Sequence, residues 1–126
     1  VPVARWKDET RWLPEIRAAI AANGNVVPAA LVQGIIGVES SFLPNAIRQE
    51  PKIGDASRGL MQVLYRTAQG VGYKGSPIGL LEPAVNIGVG VKFLSQLVTA
   101  KRGDVLAAVS AYNNGHGRRA TPGVLP

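Results

Sequence analysis

Three short segments hold the residues whose types and order could do chemistry. Glu39-Ser40 closes an apolar run with helical spacing, residues 59–63 read Gly-Leu-Met-Gln-Val, and residues 111–115 read Ala-Tyr-Asn-Asn-Gly. Glu39 continues the apolar stripe of its predicted helix, so we expect its carboxyl group to be half-buried. Burial raises the pKa of a carboxyl group, and a carboxyl that stays protonated near neutral pH can act as the general acid in cleavage of a glycosidic bond.

The two later segments supply the groups that a sugar site uses. The glycine-led turn at 59–62 leaves its backbone open to a ligand and adds the thioether of Met61 and the amide of Gln62, while Tyr112 and Asn113 add a hydroxyl and a second amide. Each of these side chains also has an ordinary alternative role in the core, on a helix surface or at a helix cap. A lone glutamate at a helix end is usually a solvated carboxylate, so it is the combination that favours a sugar site.

The spacing of apolar residues predicts the elements that must hold these segments. The predicted helices cover about residues 10–22, 28–39, 60–69, 83–98 and 104–115. Residues 41–58 contain Pro44, Pro51 and Gly54 and predict a long surface loop of the kind that is often functional. No strand-like alternation interrupts this pattern. The sequence therefore predicts an all-α fold of five helices around one core.

Length and composition limit the possible classes. A chain of 126 residues that is 46% hydrophobic fits a single domain over 1–126, with 118–126 as a loosely ordered tail. The chain has no cysteine, which excludes a disulfide framework and a thiolate metal site. No group of His, Asp and Glu has metal-ligand spacing, so neither a metal nor a cofactor is expected. No apolar stretch reaches the roughly 18 residues of a membrane span.

The net charge of +6, from 14 Lys and Arg against 8 Asp and Glu, favours an anionic partner. The basic residues are scattered along the chain. Because no basic run or aromatic-interleaved stripe is present, the sequence gives no support to nucleic acid as that partner. Acidic lipid and an acidic cell-wall polymer both remain compatible with the charge.

Four blocks, in order along the chain, resemble the lytic transglycosylase family, whose catalytic domain is related to goose-type lysozyme. The blocks are Glu39-Ser40-Ser41-Phe42 with Pro44 and Ala46, Gly59-Leu60-Met61-Gln62-Val63 with Thr67-Ala68, Pro83-Ala84-Val85-Asn86-Ile87-Gly88, and Ala111-Tyr112-Asn113-Asn114-Gly115. The motif-bearing part runs from about residue 30 to residue 117. This resemblance implies a lysozyme-like helical domain with a substrate cleft. Family members cut the β-1,4 bond between N-acetylmuramic acid and N-acetylglucosamine in peptidoglycan.

The resemblance also implies roles for individual residues. Glu39 would be the single catalytic acid and base, which closes a 1,6-anhydro ring on the muramic acid without consuming water. Tyr112 matches the family tyrosine whose hydroxyl bonds the catalytic carboxyl. The residues expected to bind substrate are Ser40, Met61, Gln62, Tyr112 and Asn113. Ser40 could alternatively orient Glu39 or cap the turn that follows it.

The implied partner is the glycan strand of peptidoglycan, which lies outside the cytoplasm. The expected location is therefore the periplasm, the cell surface or a phage virion. We expect a monomer, either alone or within a larger secretion or virion assembly.

Two other functions stay open on sequence alone. Glycosidases that use two carboxylates need a second Asp or Glu about 5 to 9.5 Å from the first, and the candidates in the long loop are Asp55 and Glu50. With Asp55 and a water, the chain would be a muramidase that hydrolyses the same bond. Asp55 also follows Gly54 in a Gly-Asp pair that is typical of turns, so its alternative role is to anchor the loop. A wall-binding module without turnover is the second alternative. The chain departs from the family pattern at Arg48, where many members have a serine, and at His116, to which no role is assigned.

Overall fold

The computed structural model describes residues 8–115 and is mostly helical. The five helices are α1 (Leu13–Ala22), α2 (Ala29–Ser40), α3 (Tyr65–Gly70), α4 (Pro83–Ala100) and α5 (Val105–Gly115). Local chemistry explains several helix starts. Pro14 and Pro83 occupy the first turns of α1 and α4, where no backbone N–H is needed. The Asp104 side chain caps α5 by accepting the Ala107 N–H at 3.0 Å. The predicted tail, 118–126, lies outside the described residues.

A small antiparallel sheet accompanies the helices. Its strands are β1 (Ile47–Glu50), β2 (Asp55–Arg58) and β3 (Val63–Leu64), in the order β1-β2-β3. The prediction of an all-α chain is therefore correct only in the coarser sense that helices dominate. The segment 41–58, predicted as a surface loop, contributes the hairpin of β1 and β2. Because β1 is almost entirely exposed, it has no apolar alternation by which a strand could be recognised.

The third helix starts later than the sequence predicts. Residues 59–62 form a turn, with φ values of +77° at Gly59 and +50° at Gln62, and β3 follows before α3 begins at Tyr65. These left-handed backbone conformations cannot continue a right-handed helix. The turn replaces the first part of the helix that was expected from residue 60.

The core lies around α4, which packs against α1, α3 and α5. The buried face of α4 includes Ile87, Val91 and Leu94, each fully removed from solvent. The same core includes Trp12 and Phe42, whose rings stack with centroids 6.4 Å apart. Among the helices between residues 8 and 115, none has the length and hydropathy that crossing a membrane requires.

Candidate active site

Glu39 lies in the last turn of α2 and is half-buried, with its carboxyl oxygen Oε1 shielded from solvent. It lines an open cavity of about 310 Å³ between α2 and α5. The described residues that line this cavity are Ala30, Leu31, Gly34, Ile35, Val38, Glu39, Val109, Tyr112 and Asn113. Glu39 is the one acidic side chain among these lining residues. The cavity is otherwise mainly aliphatic, which lowers the local dielectric around the carboxyl group.

The backbone turns sharply immediately after Glu39-Ser40. Ser41 and Phe42 both adopt left-handed conformations, with φ values of +53° and +61°. Such conformations are unfavourable for non-glycine residues, and the stacking of Phe42 on Trp12 helps to hold them. This turn ends α2 directly after the carboxylate and leaves Glu39 at the edge of the cavity.

Helix α5 brings Tyr112 and Asn113 to the same cavity. The Tyr112 ring is 1% exposed and packs on Phe93 at a centroid distance of 5.4 Å. Its hydroxyl donates to the backbone oxygen of Met61 at 2.8 Å. Asn113 is half-buried. The structure thus brings three of the predicted site residues, Glu39, Tyr112 and Asn113, to one cavity.

The other three residues predicted to bind substrate lie in the protein interior. Met61 is fully buried, and Ser40 and Gln62 are 7% and 3% exposed. The Ser40 hydroxyl lies 2.8 Å from the Leu60 oxygen and 3.1 Å from the Ile36 oxygen. These contacts attach the end of α2 to the turn at 59–62.

The side-chain amide of Gln62 also stabilises this turn. Its Nε2 donates to the backbone oxygens of Ala46 and Gly59, both at 3.0 Å. Met61 packs so closely against Gly90 of α4 that a Cβ at position 90 would collide with the Met61 sulfur. Gln62 and Met61 therefore fix the turn beside the cavity.

Asp55, the candidate second carboxylate, bonds to its own loop and to the start of α3. Its Oδ1 accepts from the Ala56 N–H at 2.7 Å, the Tyr65 N–H at 3.3 Å and the Arg58 guanidinium at 3.3 Å, and its Oδ2 accepts from the Arg66 N–H at 3.0 Å. Partial burial acts to raise the pKa of Asp55, but the backbone donors and Arg58 outweigh it and lower this pKa below its ordinary value.

The other residues singled out in this loop are Arg48 and Glu50. Arg48 is exposed on β1, and its Nε lies 3.7 Å from the Glu50 carboxylate. Glu50 also accepts from the Ser57 hydroxyl at 3.3 Å. His116 lies outside the described residues. Within residues 8–115, no three His, Asp or Glu side chains are grouped closely enough to hold a metal ion.

The sequence analysis includes Asn86 in the third family block but assigns it no role; this residue lies in α4 and is fully buried. Its Oδ1 accepts from the Met61 N–H at 2.7 Å, and its Nδ2 donates to the backbone oxygens of Arg58 and Leu80, both at 2.7 Å. The available signal was an asparagine within the otherwise apolar stretch 84–91 of this helix, where that residue type is unfavourable unless its amide is satisfied.

Comparisons with known proteins place the chain among transglycosylase domains. The sequence profile described as the transglycosylase SLT domain matches residues 17–123. The membrane-bound lytic murein transglycosylase C of Histophilus somni (strain 2336) is 36% identical over 121 residues, covering 85% of this chain and 31% of that protein. The peptidoglycan transglycosylase gp16 of Escherichia phage T7 is 35% identical over 105 residues, covering 81% of this chain and 8% of that protein. The chain therefore spans a third or less of the length of these curated relatives.

Solved structures show the same fold. An inactive mutant of the lytic transglycosylase Slt from Pseudomonas aeruginosa superposes with a TM-score of 0.73 at 27% identity, covering 90% of this chain and 18% of that one. The 70 kDa soluble lytic transglycosylase of Escherichia coli gives a TM-score of 0.71 at 23% identity, covering 84% of this chain and 17% of that one. The profile match and the sequence identities together show that this chain belongs to the transglycosylase SLT domain family.

Proposed function

We propose that the chain is a peptidoglycan lytic transglycosylase domain. It cleaves the β-1,4 bond between N-acetylmuramic acid and N-acetylglucosamine and leaves 1,6-anhydromuramic acid ends. The observation that carries the proposal is the half-buried Glu39, which shares its cavity with Tyr112 and Asn113 and with no second carboxylate among the described lining residues.

A single carboxyl group is sufficient for both halves of this reaction. In the first half, protonated Glu39 gives its proton to the glycosidic oxygen as the bond from that oxygen to C1 of the muramic acid breaks. In the second half, the Glu39 carboxylate takes the proton of the muramic acid C6 hydroxyl, whose oxygen forms the new bond to C1. No water is consumed, and Glu39 returns to its protonated form.

The cavity walls suit part of a sugar residue. Leu31, Ile35, Val38 and Val109 offer an aliphatic surface for ring carbons and N-acetyl methyl groups, and the Asn113 amide offers hydrogen bonds beside it. In this proposal Asn113 contacts the substrate directly, while Tyr112, which is 1% exposed, forms the inner wall of the cavity.

Three further residues of the proposed site act from the interior. Ser40 bonds to the Leu60 oxygen of the turn at 59–62, and Gln62 bonds across the turn to the Gly59 oxygen. The Met61 oxygen of this turn accepts from Tyr112, so the three residues hold the turn in place behind Tyr112. Their role at the substrate is therefore indirect, as supports of the groups that touch it.

Hydrolysis with Asp55 as a second carboxylate is the alternative enzymatic function. The hydrogen bonds to both Asp55 oxygens argue against it, because they direct the carboxylate towards its own loop and the start of α3, and Asp55 is not among the described residues that line the Glu39 cavity. Asp55 is better suited to fixing β2 against the start of α3.

The net charge of +6 suits an anionic wall polymer. The proposed partner is the peptidoglycan glycan strand, and the proposed place of action is outside the cytoplasm, at the cell surface, in the periplasm or from a phage virion. The domain works as a monomer in this proposal, alone or within a larger assembly.

Mass spectrometry of the soluble fragments released from purified peptidoglycan tests this function. The wild-type chain should release fragments one water lighter than those with reducing ends. Glu39→Gln should lower the rate by about 10²- to 10⁴-fold, as expected for loss of general acid catalysis, while binding to the wall is kept. Asp55→Asn is the matched control and should still give anhydro ends.

Three other results would contradict the proposal. Reducing muramic acid ends that disappear in Asp55→Asn would establish hydrolysis. Wall binding without any release of fragments would establish a binding module. Full activity in Glu39→Gln would show that the acid has been wrongly assigned.

A further inference from the structure

One peptide group, which links Leu60 to Met61, is held from both ends. Its carbonyl oxygen accepts a hydrogen bond from the Ser40 hydroxyl at 2.8 Å, and its N–H donates to Oδ1 of Asn86 at 2.7 Å. The C=O and N–H of a trans peptide point in opposite directions. This peptide group therefore connects the end of α2 on one side to α4 on the other.

The next carbonyl along the chain extends the connection to α5. The Met61 oxygen accepts from the Tyr112 hydroxyl at 2.8 Å. Ser40, which directly follows Glu39, and Tyr112, which shares the cavity with Glu39, are thus bonded to successive carbonyls of one turn. The placement of the carboxyl group relative to Tyr112 follows the orientation of this turn.

Asn86 controls that orientation because its whole amide is engaged. Its Nδ2 donates to the Arg58 and Leu80 oxygens, and rotating the amide by half a turn would set this NH₂ group against the Met61 N–H. Gly59 adds a steric limit, since a Cβ at that position would collide with the Asn86 amide and the Leu80 oxygen. A fully satisfied buried network of this kind specifies one arrangement.

We propose that Asn86 is a positioning residue for the reaction. It fixes the Leu60–Met61 peptide group and so sets Ser40 and Tyr112, and through them Glu39, at their working separation, although Asn86 is not among the lining residues of the cavity. This inference rests on the proposed transglycosylase function. Misplacement of a catalytic group by about 1 Å can cost about 100-fold in rate, so the expected effect is on turnover.

Two variants test the role, with a matched control on the same helix. Asn86→Asp keeps the size and the acceptor for the Met61 N–H but loses both donors, and Asn86→Ala removes all three bonds. Val98→Ala is the control, because Val98 is a buried core residue of α4 three helical turns further on. Each protein is assayed on soluble, uncrosslinked glycan strands at a temperature at which it is fully folded. Should Asn86→Ala fail to fold, Asn86→Asp decides the outcome.

The expected result is a fall in kcat of about 10- to 100-fold for the Asn86 variants with KM little changed, and near wild-type kcat for Val98→Ala. Amide exchange followed by NMR supplies a readout that does not depend on activity. The Met61 N–H should exchange faster in Asn86→Ala, which removes its acceptor, and not in Val98→Ala.

Equal kcat values for the Asn86 variants and Val98→Ala would overturn the positioning role. Unchanged protection of the Met61 N–H in Asn86→Ala would overturn it as well. These failures are distinct from failure of the proposed function, which would be seen as absence of anhydro products from the wild-type chain or as full activity of Glu39→Gln.

Discussion

The hydroxyl of Tyr112 lies 2.8 Å from the backbone oxygen of Met61, a residue 51 positions earlier in the chain. Both residues are buried, so the carbonyl has no access to water if the hydroxyl is removed. This bond attaches α5 to the turn at 59–62, and it ties a residue of the candidate active site to the interior of the domain.

Tyr112→Phe should destabilise the protein by about 1–3 kcal/mol, because it leaves the Met61 carbonyl buried and unsatisfied. The matched control is Tyr65→Phe, since the Tyr65 hydroxyl makes an exposed bond of 3.1 Å to the Gly75 oxygen. Water can replace that hydroxyl, so a smaller loss is expected. Urea unfolding followed by tryptophan fluorescence measures both values. Equal losses in the two variants would contradict the buried bond.

Two buried serines should respond differently to removal of their hydroxyls. Ser40→Ala leaves the Leu60 carbonyl unsatisfied and should cost about 1–3 kcal/mol. Ser95 is also buried in a helix, but its hydroxyl has no hydrogen-bond partner within the part of the chain that the structure describes. Ser95→Ala should therefore be neutral or stabilising. Denaturant midpoints compare the two, and a larger loss in Ser95→Ala would refute the assignment of these contacts.

Gly59→Ala should destabilise the protein by more than the cost of placing alanine in a left-handed backbone conformation. Gly103 provides the control, because its φ of +85° resembles the +77° of Gly59 but its added Cβ would meet nothing within 4 Å. Gly103→Ala should cost about 1–2 kcal/mol from the left-handed backbone alone. Gly59→Ala adds the collision with Asn86 and Leu80 to that cost. Calorimetric unfolding should show the larger loss at position 59, and similar losses would mean that the turn can move away from α4.

Asp55→Asn should reveal a pH-dependent part of the stability. The pKa of Asp55 is lowered in the folded protein, so folding favours its ionised form. That stabilisation is fully present above the unfolded pKa, at about pH 4, and is lost as the pH falls through the folded pKa. The difference in unfolding free energy between wild type and Asp55→Asn should thus be larger at pH 7 than at pH 3. A difference that stays constant between these pH values would contradict the role of the carboxylate bonds.

The sequence predicts α1, α2, α4 and α5 well because each has local signals. Apolar spacing and terminal proline residues identify α1, α2 and α4, and the cap at Asp104 identifies α5. The sheet has no comparable signals. Its first strand is exposed and its third has only two residues, so pairing with β2 defines both, and pairing between distant segments cannot be seen in local patterns.

In the candidate site too, features with local signals are predicted and features that depend on distant segments are not. The position of Glu39 beside Tyr112 and Asn113 follows from motifs that helices carry, and these residues do share a cavity. By contrast, the Gln62 amide donates a hydrogen bond to the backbone oxygen of Ala46, 16 residues away. The sequence alone does not distinguish a polar side chain that hydrogen-bonds to the backbone in the interior from one that hydrogen-bonds to a ligand. Asn86 was assigned no role for the related reason that its partners come from the backbone of other segments.

The turn at 59–62 also has a consequence for how the domain acquires its active form. Its bonds to Ser40, Asn86 and Tyr112 join residues 20, 25 and 51 positions apart. Closing loops of these lengths costs chain entropy before any contact stabilises the result, so we expect these contacts to form late in folding. A partly folded chain can contain an intact α2 with Glu39 and still lack the arrangement around it. In the proposed enzyme, the arrangement around Glu39 is therefore complete only when the tertiary fold, including α5, has formed.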